Sequence, residues 1–168
     1  MSETVQRRIK ATELNTKFKY EITKRPGGEK LLQCFQCGTC TAGCPISRFN
    51  DVYRPKQIIR MIQLGLKERV LNKDSGLIWL CSYCYLCEER CPKDVKFPEV
   101  ITILRNIAVE AGNIHPSLAK LVALVAEQGR IYDVDDFINM RRKRLGLPPL
   151  STDKSEWSEF TQFLRLKK

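Results

Sequence analysis

Apolar side chains recur at helical spacing over much of this chain. A run that begins at Pro55 places apolar residues three or four positions apart, at Ile58, Ile59, Ile62 and Leu66. That spacing predicts an amphipathic helix with Pro55 at its first position, where a missing N–H costs nothing. A second helix is predicted from Pro98, with Gly112 and Asn113 as its stop. The pattern therefore predicts a mainly α fold.

Two more helices are predicted in the C-terminal third, over residues 116–128 and 135–145. Glycines 129 and 146 follow them and mark their ends. The tail from Ser155 to Lys168 is amphipathic, with apolar residues Trp157, Phe160, Phe163, Leu164 and Leu166. Its apolar face either packs on its own domain or docks on a partner, because both arrangements need the same surface.

Residues 1–33 are polar and basic, with a turn at Arg25-Pro26-Gly27-Gly28 and a short apolar alternation at Phe18, Tyr20 and Ile22. We interpret residues 1–30 as an extended basic arm. Residues 31–112 form a predicted helical domain that holds all the cysteines. Residues 113–168 form a C-terminal helical extension, a candidate for partner docking.

The eight cysteines fall into two runs of identical spacing, C-x2-C-x2-C-x3-C-P. The first run is Cys34, Cys37, Cys40 and Cys44, and the second is Cys81, Cys84, Cys87 and Cys91. This is the bacterial-type ligand run for a [4Fe–4S] cluster. Structural zinc uses paired C-x2-C units or mixed Cys and His sets, and disulfide scaffolds belong to small secreted chains, so both alternatives are weaker. The sequence predicts two [4Fe–4S] clusters.

The fourth cysteine of each run is predicted to bind the cluster of the other run, as in two-cluster ferredoxins. One ligand set is then Cys34, Cys37, Cys40 and Cys91. The other set is Cys81, Cys84, Cys87 and Cys44. Because the exchange joins distant parts of the chain, the cluster pair would also be the main tertiary cross-link.

Electron transfer is the chemistry that this ligand set predicts, because all eight thiolates are committed and no cysteine is left as a nucleophile. The sequence has no P-loop, no nucleophile elbow and no dinucleotide-binding glycine motif after a strand. Its one histidine, His115, precedes Pro116 at a predicted helix start, and we interpret it as a surface or capping residue. No catalytic residue is predicted.

The formal net charge of +10 at pH 7 favours an acidic protein partner. Two oxidised clusters with their thiolates would lower that charge to about +6. The one dense basic run, residues 141–144, follows Asp135 and Asp136 on a predicted helix, where it complements the helix dipole. Nucleic-acid binding is therefore not predicted.

No transmembrane segment is predicted, because a spanning helix needs about 20 mostly apolar residues in a row and the apolar runs here are short. The first residues carry charge without an apolar stretch behind them, so no secretory signal is expected. We expect a cytoplasmic location, where disulfides are rare and clustered cysteines bind metal.

The two runs, with their helical connection, resemble the α-helical ferredoxin domain of respiratory and anaerobic oxidoreductases. More narrowly, residues 33–41 with Cys44-Pro45, and residues 87–96, resemble the C subunit of the soluble type of heterodisulfide reductase. Residues 104–108 are similar to that protein as well. The resemblance covers roughly residues 31–150, and it carries over the cluster ligands but no catalytic residue.

The resemblance implies an electron-relay subunit between a flavin-bearing A subunit and a cysteine-rich B subunit, which cleaves the coenzyme M–coenzyme B disulfide. It implies a hetero-oligomer, one form being a dimer of heterotrimers with a hydrogenase or formate dehydrogenase module. One alternative is the iron–sulfur subunit of a succinate dehydrogenase or fumarate reductase type enzyme. Such subunits carry extra cysteines in an N-terminal [2Fe–2S] domain, and no cysteine precedes Cys34 here. Another is a free ferredoxin-like carrier.

Overall fold

The computed structural model describes residues 9–72 and 76–151. It divides into two compact units, with the division between Ile114 and His115. Helices make up the regular structure, and the described ranges contain no β-strand. The predicted mainly α fold is confirmed.

The first unit contains seven α-helices within its described residues, of which α4 and α7 are the longest. Their bounds are α1 Phe18–Thr23, α2 Thr39–Ala42, α3 Pro45–Phe49, α4 Pro55–Leu64, α5 Lys67–Val70, α6 Leu86–Glu89 and α7 Phe97–Glu110. Short 3₁₀ turns occupy Ala11–Glu13, Glu29–Gln33 and Leu77–Leu80.

Helix α4 has the boundaries that its sequence predicts. Pro55 occupies the first turn, and Gly65 ends the helix in the left-handed region with φ 82°. A Cβ at Gly65 would lie 2.3 Å from the Asn15 carbonyl oxygen, and the Asn15 N–H donates to the Gly65 carbonyl at 2.8 Å. Glycine is therefore required there both by the backbone conformation and by the close approach of the N-terminal segment.

Helix α7 is the centre of the core. It begins at Phe97, one residue before the predicted start, and Pro98 lies in its first turn. Its buried side chains are Phe97, Pro98, Val100, Ile101, Ile103, Leu104, Ile107 and Ala108. All of these except Pro98 pack in one cluster with buried side chains of α1 and α4, including Phe18, Ile22, Ile58, Ile59 and Ile62.

The prediction of an extended arm over residues 1–30 is wrong for its described part. Helix α1 lies inside that segment, and its Phe18 and Ile22 are fully buried. These two residues are four positions apart, so they share one helix face, and the short alternation with Tyr20 concealed that spacing. Arg25 also pairs with Glu110 of α7, at 3.0 Å between Nη2 and Oε2. Residues 1–8 lie outside the described ranges.

The second unit contains the two predicted helices, α8 Pro116–Gln128 and α9 Asp136–Arg144. His115 caps α8, as predicted, because its Nδ1 accepts from the Ser117 N–H at 3.3 Å. Asp135 caps α9 by accepting from the Ile138 N–H at 2.8 Å. The amphipathic tail prediction, for residues 155–168, lies outside the described residues.

Candidate metal centres

The two cysteine runs have the same local structure. A 3₁₀ turn precedes each run, ending at Gln33 before Cys34 and at Leu80 before Cys81. A short α-helix then starts inside each run: α2 holds the third cysteine of the first run, and α6 holds the third of the second. The identical cysteine spacing therefore produces a repeated fold element.

Each run carries two left-handed residues at matching positions. In the first run they are Gln36 and Gly38, with φ of 65° and 86°. In the second they are Tyr83 and Tyr85, with φ of 51° and 60°. A left-handed residue with a side chain costs about 1–3 kcal/mol, and such strain concentrates at functional sites. Left-handed residues in a turn can direct successive backbone N–H groups into one concavity, which favours an anionic iron–sulfur group.

The first cysteine cavity holds all three leading cysteines of the first run together with the last cysteine of the second. Its thiol-bearing lining is Cys34, Cys37, Cys40, Cys87 and Cys91. Lys56, Ile59, Val95 and Phe97 close its sides. Three of the four cysteines in this cavity's predicted set thus come from one run, and Cys91 arrives from the other.

The second cysteine cavity has the reciprocal composition. Its cysteines are Cys44, Cys81, Cys84 and Cys87, and its other walls include Ile46, Tyr53, Tyr83 and Phe97. Cys87 and Phe97 line both cavities, so the two cavities are neighbours separated by single side chains.

The cysteines differ in exposure and in the pKa of their thiols. Cys37 and Cys84 are exposed, one in each cavity, whereas Cys44 is buried. Burial raises the pKa of Cys87 to about 12 and also raises the pKa of Cys40. Hydrogen bonding from Thr39, 3.4 Å away through Oγ1, lowers the pKa of Cys37. Bound iron would favour the thiolate form of these part-buried thiols.

Two more donors reach sulfur in the first cavity. The Val95 N–H donates to Cys91 Sγ at 3.2 Å, and Gln36 Nε2 lies 3.6 Å from Cys34 Sγ. N–H donors of this kind stabilise thiolate and cluster sulfur. Gln36 lies within the first cysteine run and Val95 follows the second, so each donor is close in sequence to the sulfur that it approaches.

The second cavity contains the buried hydroxyl of Tyr53, which has no hydrogen-bond partner of normal geometry in the described part of the chain. The Tyr53 side chain is 1% exposed. Burial, followed by the neighbouring Cys81 thiol, raises the pKa of Tyr53, so the phenol keeps its proton as a donor. A buried donor without a partner costs about 1–3 kcal/mol, which an acceptor sulfur in the cavity would recover.

Tyr53 is held firmly although no sequence motif marks it. The Ser47 hydroxyl donates to the Tyr53 carbonyl at 2.7 Å, and the Asn50 side-chain oxygen accepts from the Tyr53 N–H at 3.1 Å. Sequence reasoning missed this residue because it lies nine positions after Cys44, outside both cysteine runs and their spacing. Only the packing of that loop brings its hydroxyl to the second run.

A site for one metal ion does not fit this arrangement. Thiolates that share one zinc at about 2.3 Å must lie roughly 3.8 Å from one another. Within residues 9–72 and 76–151, no three His, Cys, Asp or Glu side chains are grouped in that way. Two cavities lined by four or five cysteines each, with anion-favouring loops, fit a larger anionic group such as a cluster.

Comparison with known proteins agrees with this geometry. Residues 30–95 match the family model of the 4Fe-4S dicluster domain. That range contains all eight cysteines. The cofactors of this chain are two [4Fe–4S] clusters, as its cysteine spacing predicts.

The chain is similar to known oxidoreductase subunits over most of its length. It is 38% identical over 161 residues to the C 2 iron–sulfur subunit of the CoB–CoM heterodisulfide reductase of Methanocaldococcus jannaschii, covering 92% of this chain and 82% of that protein. The chain belongs to the family of heterodisulfide reductase C subunits. Another member, the C subunit of the H₂:CoB–CoM heterodisulfide, ferredoxin reductase of Methanothermobacter thermautotrophicus, is 37% identical over 139 residues, 83% of this chain and 74% of that protein.

A third member of this C-subunit family shows that the likeness extends to another genus. The C subunit of the ferredoxin:CoB–CoM heterodisulfide reductase of Methanosarcina mazei is 32% identical over 141 residues, 84% of this chain and 85% of that protein. The names of these relatives describe subunits of an oxidoreductase, so family membership implies an iron–sulfur electron-transfer role in a multi-subunit complex. No helix within the described ranges has the length and apolar character to cross a membrane.

Proposed function

We propose that this chain is the electron-relay subunit of a heterodisulfide reductase complex, between a flavin-bearing A subunit and a cysteine-rich B subunit. In this proposal the B subunit reduces the coenzyme M–coenzyme B heterodisulfide, or a related disulfide in organisms with another terminal acceptor. The complex is a hetero-oligomer in the cytoplasm, where reducing conditions keep cysteine ligands free of disulfides.

One observation carries the relay function. Cys87 lines both cavities. Cys37 is the exposed cysteine of the first cavity, and Cys84 is that of the second. Each cavity therefore has an exposed cysteine of its own, and the side chains of Cys87 and Phe97 line both interiors. This arrangement provides an entry and an exit for electrons at different places on one subunit.

The proposed ligand sets follow the lining of the cavities. Cys34, Cys37, Cys40 and Cys91 hold the cluster of the first cavity, and Cys81, Cys84, Cys87 and Cys44 hold the cluster of the second. When bound, the clusters supply one-electron transfer. The chain supplies thiolates, the Val95 N–H that donates to Cys91 Sγ, and apolar walls such as Phe97.

The proposal is tested by anaerobic affinity purification of the tagged chain from its native cells. We expect a flavoprotein and a cysteine-rich protein to co-purify. The separately purified chain should contain about eight irons and eight acid-labile sulfides. A succinate dehydrogenase type flavoprotein, or no stable partner, would overturn the proposed complex.

Electron flow through the purified complex gives the second test. Cys84→Ser should slow electron passage from reduced flavin to the terminal subunit without dissociating the complex. Ser82→Ala is the matched control, because Ser82 lines the same cavity but is not a proposed ligand. Equal rates in the wild type and Cys84→Ser, with intact assembly, would contradict a relay through this chain.

A further inference from the structure

Two residues occupy equivalent positions behind the two cysteine runs. Gln63 is the ninth residue of α4, and Arg105 is the ninth residue of α7. Each donates a hydrogen bond to the backbone carbonyl of the first cysteine in one run. Gln63 Nε2 lies 3.2 Å from the Cys34 oxygen, and Arg105 Nη2 lies 3.1 Å from the Cys81 oxygen. The repeated fold thus positions both runs with a side chain from the following long helix.

Gln63 performs this role with a neutral amide. Its side-chain oxygen also accepts from Gln36 Nε2 at 3.3 Å. The Gln36 amide in turn lies 3.6 Å from the Cys34 sulfur. The first run is therefore held by two linked amides that carry no net charge.

Arg105 performs the same role with a cation. Besides the Cys81 carbonyl, it donates to the Ile78 and Trp79 carbonyls at 3.0 and 3.2 Å. Its guanidinium carbon lies 4.6 Å from the ring centre of Tyr83 and 5.1 Å from that of Trp79. Two aromatic rings and three carbonyls thus fix a half-buried positive charge behind the second run.

The charge of Arg105 is not cancelled by an ion pair within the residues that the structure describes. A guanidinium stays ionised at all working pH values. Its field is screened less than that of an exposed cation, because protein surrounds it in part. The first cavity also has a cation in its lining, Lys56, but that side chain is exposed to solvent.

We propose that Arg105 is a positioning residue that raises the reduction potential of the cluster bound by Cys81, Cys84 and Cys87. A fixed positive charge favours the reduced cluster because reduction adds a negative charge. Gln63 orients the first run in the same way but adds no charge. The inference rests on the proposed electron-relay function, since it concerns how that function is tuned. At this matched position, the second half of the repeat carries a positive charge and the first half carries a neutral amide.

The test is a redox titration of the purified, anaerobic full chain, followed by electron paramagnetic resonance. We expect Arg105→Gln to shift the midpoint potential of one cluster negative by about 59 mV, a tenfold change in its one-electron equilibrium. The other cluster should be unmoved. Arg105→Lys, which keeps the charge but loses the fork of hydrogen bonds, should retain most of the wild-type potential. Arg60→Gln, on the exposed side of α4, is the control and should change neither potential.

The reciprocal substitution decides the case if Arg105→Gln binds less iron. Gln63→Arg places a charge at the matched position and should shift the other cluster's potential positive. If Arg105→Gln keeps its full iron content, unchanged reduction potentials in that variant would overturn the inference. If Arg105→Gln is iron-poor, unchanged potentials in Gln63→Arg would overturn it. A wild-type chain without two clusters would instead overturn the proposed function.

Discussion

The phenol of Tyr53 and the thiol of Cys81 face the same cavity, and burial, followed by the neighbouring thiol, raises the pKa of the phenol. The hydroxyl is therefore a buried donor next to a proposed cluster ligand from a distant part of the chain. Hydrogen bonds to sulfur raise the reduction potentials of iron–sulfur clusters. Tyr53 links the loop after the first run to the redox properties of the second.

Replacing Tyr53 by phenylalanine removes this donor but keeps the ring. We expect the reduction potential of the cluster assigned by our proposal to Cys81, Cys84 and Cys87 to fall by about 59 mV, which is a tenfold change in its one-electron equilibrium constant. Thermal stability should change little, because the lost hydroxyl has no other partner of normal geometry in the described residues. Redox titration monitored by paramagnetic resonance measures the shift. Tyr20→Phe, at a half-exposed tyrosine of α1, is the control, and equal shifts in both variants would refute the assignment.

The proposed exchange of fourth ligands predicts that two cysteine variants damage different clusters. Cys91→Ser should damage the cluster bound by Cys34, Cys37 and Cys40, and Cys44→Ser should damage the other. Each variant should lose signal from one cluster, measured by iron content and by paramagnetic resonance of the reduced chain. The proposed ligand sets would be wrong if Cys91→Ser altered only the cluster of its own run.

Core packing around α7 predicts a large effect for Leu104→Ala. Leu104 is fully buried, so its truncation should cost about 2–5 kcal/mol through lost burial and a residual cavity. Thermal unfolding of the anaerobic holoprotein should show a lower midpoint. Phe49→Ala is the contrast, because Phe49 at the end of α3 is 92% exposed and its loss should leave the midpoint nearly unchanged. A comparable fall in both variants would contradict the packing described for α7.

The Arg25–Glu110 pair predicts a stability effect with a defined pH range. The hydrogen bond from Arg25 holds the pKa of Glu110 below its usual range. A lowered folded-state pKa contributes stability above the unfolded value of about 4.3, and the contribution is lost as pH falls through the folded pKa. Glu110→Gln should therefore lower the thermal midpoint slightly and by the same amount from pH 6 to pH 8.

The salt dependence of the thermal midpoint distinguishes an ion-pair contribution from a packing contribution. Both partners are partly exposed, so the difference between the wild type and Glu110→Gln should shrink as ionic strength rises. Glu68→Gln is the control, because Glu68 is exposed and forms no ion pair with the described residues. A difference that grows toward pH 8, or that is insensitive to salt, would contradict the ion-pair interpretation.

The four longest helices of the described residues and the identity of the cofactor follow from the sequence, because both are encoded locally. The spacing of apolar residues after Pro55 and Pro116 is a property of a few consecutive turns, and those helices form where predicted. The cysteine spacing likewise identified two [4Fe–4S] clusters, since the cysteines of each run are neighbours in the chain. Local interactions need no knowledge of distant contacts.

Tertiary structure decided the features that join distant residues. Phe18 and Ile22 form a helix in the core because α4 and α7 provide an apolar surface for them, which the polar sequence around them does not reveal. The loop at Tyr53 reaches Cys81, and Arg105 reaches the carbonyl of Cys81 from α7. Each of these contacts depends on how helices pack, and packing energy is summed over residues far apart in the chain. The cysteines specify which group is bound, and the folded environment sets how that group behaves.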